Sequence, residues 1–237
     1  NDGIGPVPFS RCINYKERAP EKFILGYAPN PSDPDALDKL NAAVTLYDVK
    51  ICGEFKFRVC YDNPDAIRLF RRAGELGLPV TIHLQYDLDK RDNCMWKREE
   101  WFGGSMDAFE RAVAACPGTN FLGHAPGFWI HISNDDLYKT TNYPPDNTKT
   151  VPGGKLPEML KKYPNLYCDI SAGSGCRALS RDPEFAREFI IEFQDRILFA
   201  RDYFDDQHYK FLMSIDLPEE VQHKVFHGNA EKLVDCS

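Results

Sequence analysis

Three apolar runs in this sequence each end on a side chain that can bind a metal. They are Leu76–Leu84 with His83, Phe121–His124 with His124, and Ile197–Asp202 with Asp202. Imidazole nitrogens and carboxylate oxygens are the donors of catalytic divalent-metal sites, where the cation lowers the pKa of water towards neutrality. If the first run is a strand, Val80, Ile82 and Leu84 share one face and Thr81 and His83 the other. A fourth run, Val49–Arg58, sorts the same way: Val49, Ile51, Gly53, Phe55 and Phe57 oppose Cys52, Glu54, Lys56 and Arg58. Both faces of a sheet in a βα protein are normally covered. A charged face enclosed there is costly unless it is paired or binds something, so this face is expected to line a site. Singly, each residue has an ordinary explanation: a strand-end histidine is commonly a hydrogen-bonded rim residue, and Asp202 could cap a helix starting near Tyr203. Together they point to one metal, held at the C-terminal ends of parallel strands.

The elements that would hold these groups follow a regular order. Lys22–Ala28, Val49–Arg58, Val80–Leu84, Phe121–His124, Asn165–Ser171 and Arg196–Arg201 read as six strands. Between them lie helices opened by Asp33-Pro34, Asn63-Pro64, Ser105 and Asp182-Pro183, with another near Leu156–Tyr163. Residues 1–21 read as a loop with at most one helical turn, and Asn229 as the N-cap of a closing helix. Strand–helix alternation predicts an α/β protein with parallel strands, and no linker divides residues 1–237, so one domain is expected. An open doubly wound sheet is the alternative to a barrel, although no Gly-rich phosphate loop follows the first strand.

In Leu166–Ser171, Tyr167, Asp169 and Ser171 share a face opposite Leu166, Cys168 and Ile170. The following Ser171-Ala-Gly-Ser-Gly175 reads as a small-residue loop able to cup a carboxylate. Two long polar stretches, residues 85–104 and 125–154, read as loops whose Trp96, Trp101 and Trp129 wall a pocket. His131, just past Trp129, would line it. His208, His223 and His227 fall in the helical tail and read as surface residues.

A formal charge of −7 and a pI near 5.4 argue against nucleic acid or an anionic membrane as partner, and no apolar run reaches transmembrane length. A small-molecule substrate is expected, with homo-oligomerisation left open. The eight cysteines include no C-x-x-C pair, which suits buried thiols in a reduced, cytoplasmic compartment.

Gly53-Glu-Phe-Lys56, Pro79-Val-Thr-Ile-His83, Gly123-His-Ala-Pro126, Asp169-Ile-Ser171, Phe199-Ala-Arg-Asp202 and Gly228-Asn-Ala230 occur in an order that resembles the amidohydrolase superfamily. The similarity is to its amidohydrolase-related branch of metal-dependent (β/α)8-barrel hydrolases and decarboxylases. That resemblance implies a TIM-like barrel. His83 would be a metal ligand from strand five, His124 a second histidine from strand six, and Asp202 a ligand and proton carrier from strand eight. The bridging Lys or Glu of strand four could fall on Lys56 or Glu54. The family's first strand ends in His-x-His, which is absent here, and Arg201 stands where Thr is common. By that resemblance the visible strands would correspond to strands three to eight, with the first two expected to be absent from this sequence.

The reaction implied is hydrolysis of an amide, ester or lactone by water activated on Zn²⁺ or Mn²⁺. Asp202 would move the proton and His124 would polarise the substrate or bind the metal. Lys56, Arg58, Ser171 and Trp129 would contact a carboxylate-bearing substrate. The alternatives are a metal-dependent decarboxylase and a non-catalytic barrel that binds or scaffolds.

Overall fold

The computed structural model describes residues 8–86 and 101–234. Six parallel strands form one sheet in the order β1-β2-β3-β4-β5-β6: β1 Leu25–Gly26, β2 Val49–Phe55, β3 Val80–His83, β4 Phe121–His124, β5 Leu166–Asp169 and β6 Ile197–Leu198. Each strand pairs with its sequence neighbours and the order never reverses. A barrel wall has this order, whereas a doubly wound sheet turns back at a switch point. The doubly wound alternative is thereby excluded, and β1 and β6 are not paired with each other.

Helices α2 (Ala36–Tyr47), α3 (Pro64–Glu75) and α4 (Met106–Ala115) connect the first four strands. The start of α3 is set by Asn63, whose side chain accepts from the Asp65 N–H, with Pro64 at the first helical position. Ser105 caps α4 through the Ala108 N–H. The inner face of α3 buries Ala66, Leu69, Phe70 and Ala73. There Phe70 meets Phe55 of β2 and Phe121 of β4 at ring separations of 4.8 and 5.3 Å, joining the helix layer to the strands that carry the site.

Several local expectations are corrected. Residues Phe9–Arg18 form a ten-residue helix, α1, where a loop was expected. Phe9, Cys12 and Ile13 recur at i, i+3 and i+4 and pack against Leu25, Ala43 and Val49, a helical period hidden among charged residues. The 125–154 stretch opens with a short helix, α5 (Pro126–Trp129), followed by two 3-10 turns. After α6 (Lys155–Lys162) and β5, the small-residue stretch is helical and not a loop: α7 spans Ala172–Ser180. A Cβ at Gly175 would lie 2.6 Å from the Ile170 carbonyl oxygen, so glycine there lets α7 pack onto the end of β5.

Helix α8 (Pro183–Glu192) precedes β6, and α9 (Gln207–Ser214), α10 (Glu219–His223) and α11 (Asn229–Leu233) close the described chain. Asn229 does not cap α11. It is buried, and its side-chain amide donates to the carbonyls of Gln194 and Ile197 at 2.7 and 2.8 Å, tying the C-terminal helices to β6. His208 is buried as well, donating through Nε2 to the Ala172 carbonyl at 2.6 Å, whereas His223 and His227 are exposed as expected. No helix among the described residues is long and apolar enough to cross a membrane.

Candidate metal centre

Strands β3 and β4 pair without irregularity from Val80↔Phe121 to His83↔His124. Parallel strands in register point paired residues to the same face, so both imidazoles leave the C-terminal end of the sheet side by side. Strand β2 behaves differently. Cys52 pairs with Val80 and Phe55 with Ile82, so three steps along β2 match two along β3. This irregularity breaks the simple alternation expected for Val49–Arg58: Val49, Cys52 and Phe55 are buried, and Glu54 turns to the histidines. A Cβ at Gly53 would approach the Thr81 side chain to 2.9 Å, which makes glycine the residue that fits beside β3.

Among the described residues, Glu54, His83 and His124 are the group whose donor atoms gather, each offering one within 4.8 Å of the others. Donors about 2.1 Å from a shared cation are about 3–4 Å apart, so modest closure of this group suits one divalent ion with nitrogen and oxygen ligands. His83 Nδ1 makes a short hydrogen bond with Glu54 Oε1, and its Nε2 lies 2.9 Å from Gln85 Oε1. His124 Nε2 is 3.6 Å from the same Glu54 oxygen. On its other side His124 Nδ1 meets Ser171 Oγ at 3.0 Å and Asp169 Oδ2 at 3.7 Å.

Burial pushes the His83 imidazole below its ordinary range, more strongly than hydrogen bonding and attraction to Glu54 raise it. It is therefore neutral near pH 7, the form a metal ligand needs. Burial alone would raise Glu54. The hydrogen bond from His83 and the positive charges around it, including Lys56, outweigh that effect and keep its carboxyl below the usual carboxylate range.

Tyr61, fully buried, fastens the strand ends beneath the centre. Its hydroxyl lies 2.6 Å from the His83 carbonyl oxygen and 3.1 Å from that of Phe55. Burial holds this phenol well above its normal pKa, so it stays a donor.

The other expected site residues divide. Lys56 is half-buried at the end of β2, its ammonium 5.2 Å from the Phe102 ring centroid, and its charge acts on both Glu54 and His83. Arg58 is exposed. Ser171 is buried against His124. Trp129 does not wall a pocket: it is 1% exposed, packs on Phe128 and Phe189, and donates its indole N–H to the Asp169 carbonyl at 2.9 Å. His131 is buried, with Nε2 2.6 Å from the Tyr86 hydroxyl. Trp101 is half-buried, and Trp96 lies outside the described residues.

Asp202 does not join the Glu54–His83–His124 group. Strand β6 stops at Leu198, the Phe199 N–H turns to the Val225 carbonyl, and Asp202 sits exposed in the bend beyond. The carboxylate that does reach His124 besides Glu54 is Asp169. Alternation placed it on one face with Ser171, and its two-residue spacing from that serine was the available signal. Gln85 was likewise two residues past His83, on the same face of the extended chain.

A parallel α/β sheet with barrel order, whose strand ends gather two imidazoles and a carboxylate, has the arrangement of a barrel protein with a candidate metal centre at the C-terminal rim. The sequence model of the family described as Amidohydrolase matches residues 10–236, and the chain belongs to that family. No curated protein matches it in sequence.

Among solved structures, an uncharacterized TIM-barrel protein from Bordetella bronchiseptica is similar with a TM-score of 0.65 and 17% identity, over 98% of this chain and 74% of that one. A 2-pyrone-4,6-dicarboxylic acid hydrolase assignment from Pseudomonas putida gives 0.61 and 12%, over 95% and 77%. A dihydroxybenzoic acid decarboxylase from Polaromonas, with bound manganese and the inhibitor 2-nitroresorcinol, gives 0.58 and 17%, over 95% and 74%. At these identities the likeness establishes the fold.

Proposed function

We propose that this chain carries a metal-dependent active site that hydrolyses an amide, ester or lactone in a small, carboxylate-bearing molecule. The observation that carries the reading is the convergence of Glu54, His83 and His124 at the ends of adjacent strands in an amidohydrolase chain. Glu54, His83 and His124 would hold a divalent cation, Zn²⁺ or Mn²⁺, which when bound would supply the Lewis acidity that makes water nucleophilic near neutral pH. His83 offers a neutral imidazole, and Glu54 brings the negative charge that compensates a cation. His124 presents Nε2 to the same space. Lys56, beside them and next to the Phe102 ring, binds the substrate carboxylate by a charge-assisted hydrogen bond, with Arg58 extending the cationic rim outward. Asp202 is assigned proton transfer by family resemblance alone; from its exposed bend it would act only by approaching the substrate from the rim. Three of the six free cysteines among the described residues (Cys52, Cys116 and Cys168) are buried, while Cys60 is exposed; free thiols of this kind support a reduced compartment, in keeping with a cytoplasmic enzyme.

A second reading, non-oxidative decarboxylation on the same centre, is favoured by the position of Asp202. Hydrolysis needs a group beside the attacking water to take its proton, and the exposed carboxylate stands apart from the cluster. Decarboxylation needs instead a cation to hold the carboxylate and a donor to the carbon left behind. The Polaromonas decarboxylase provides a manganese-containing precedent on this fold.

The deciding experiment assays protein reconstituted with Mn²⁺ or Zn²⁺. A pH-stat follows acid release from lactones and esters bearing a carboxylate, an amine-reactive fluorophore follows amine release from the corresponding amides, and ¹³C NMR follows CO₂ from hydroxybenzoates. Acid or amine release that Lys56→Met weakens chiefly through KM supports the hydrolase; CO₂ without either selects the decarboxylase. Metal uptake with neither reaction would leave the non-catalytic reading.

A further inference from the structure

His124 is 3% exposed, so its two nitrogens have protein partners and no ready access to water. A neutral imidazole carries one N–H, and the partner of that N–H decides which nitrogen keeps a free lone pair. At Nε2 the oxygen partner among the described residues, Glu54 Oε1, is 3.6 Å away, too far for a good hydrogen bond, and it already takes a short one from His83. At Nδ1, Ser171 Oγ is at 3.0 Å, with the Asp169 carboxylate behind it at 3.7 Å.

These partners are themselves held. Asp169 Oδ1 accepts the Ser171 N–H at 2.7 Å, its carbonyl accepts the Trp129 indole N–H, and α7 begins directly after Ser171 with Gly175 packed on Ile170. Two separate elements, α5 and α7, thus brace the side of His124 that faces away from Glu54.

We propose that Ser171, braced by Asp169, is a positioning residue that keeps His124 in the Nδ1–H form, leaving Nε2 bare towards Glu54 and His83. This deepens the proposed function and rests on it for the use made of the lone pair, but the tautomer itself exists without metal. Ser171 therefore acts through His124 and does not contact substrate. Partners of this kind, acting on a ligand histidine, commonly change metal affinity by about 10–100-fold when removed.

The test reads the His124 ring in ¹⁵N-histidine-labelled, chelator-treated protein at neutral pH, together with Mn²⁺ affinity by calorimetry. Wild type is expected to give the Nδ1–H pattern. Ser171→Ala should move His124 towards Nε2–H and weaken Mn²⁺ binding about tenfold or more, and Ser171→Thr should restore both. Asp169→Asn, which keeps an acceptor for the Ser171 N–H, should shift the tautomer in the same direction as Ser171→Ala and provides a second reading if the alanine variant folds poorly. An Nε2–H tautomer in wild type, or variants with unchanged tautomer, overturns the proposal. Wild type that shows a Ser171-dependent Nδ1–H form yet takes up no Mn²⁺ would uphold this inference and sink the metal-dependent function instead.

Discussion

His83 and His124 occupy directly paired positions in the β3–β4 ladder, with ring centroids 5.5 Å apart. Two candidate ligands placed by a regular parallel ladder need no loop to bring them together, and their separation is as stiff as the sheet. His83→Asn should therefore abolish high-affinity binding of Mn²⁺ or Zn²⁺ with little change in secondary structure. Calorimetric titration with a circular dichroism control measures both, and retained affinity would remove His83 from the centre.

Glu54→Gln separates charge from shape. The amide can still accept the His83 Nδ1–H, but it no longer balances a cation or attracts Lys56. Fold stability should change little, because the lost charge-assisted hydrogen bond, about 1.5–3 kcal/mol, is offset by the removed cost of burying a carboxylate. Metal affinity should fall by at least an order of magnitude, as read by the same titration alongside urea unfolding.

Acid should destabilise the fold through its buried histidines. Burial lowers His131 from 6.5 to about 4, with Asp107 partly opposing the shift, and its ring faces the Tyr86 hydroxyl as a neutral acceptor. The unfolded chain takes up this proton near pH 6.5 and the folded one only near pH 4, so stability drops as pH falls across that window and levels off below it. A gap of that size is worth about 3 kcal/mol. Burial also lowers His83, which adds in the same direction. His131→Phe should flatten the fall between pH 6.5 and 4 in urea midpoints; a slope unchanged from wild type would contradict the assignment.

The strands and their order were legible because period-two runs, helix-opening signals and polar strand ends agree at most steps; Asp33-Pro34 was the exception, since it lies in a turn and α2 starts at Ala36 with Asp35 before it. His83 and His124 were legible for the same reason, each closing an apolar run. What escaped depended on events between elements. The extra step in β2 re-aims Glu54 and cannot be seen in an alternating pattern, although the pairing of Glu54 with the histidines was an open choice against Lys56. Trp129 read as a pocket wall because indoles often are, but its N–H found the Asp169 carbonyl and its ring the core. Asp202 followed from continuing β6 to residue 202, whereas the strand ends at Leu198. Ser171 and Asp169 were placed on the right face, but their attachment to His124 needed the neighbouring strand.

Tyr61→Phe removes the hydroxyl beneath the centre while keeping the ring among Phe55, Phe70 and Phe109. The His83 and Phe55 carbonyls would lose a buried donor, costing about 1–3 kcal/mol. The released β3 end should also loosen metal binding. Equal stability and equal affinity in the variant would show that the hydroxyl fastens nothing.

Asn229→Ala should destabilise by a similar amount, about 1–3 kcal/mol, because two buried carbonyls lose their shared donor. Proteolysis should then cut first after β6, since the C-terminal helices lose their tie to it. Cleavage elsewhere first would argue against that role.

The central claim is that Glu54, His83 and His124 bind one ion together. X-ray absorption at the zinc edge of the stoichiometrically loaded protein tests it most directly. The account predicts nitrogen and oxygen ligands at about 2.0–2.2 Å with the multiple-scattering signature of two imidazoles, lost from the spectrum in His83→Asn. A sulfur shell at about 2.3 Å, or a spectrum unchanged by that substitution, would contradict it.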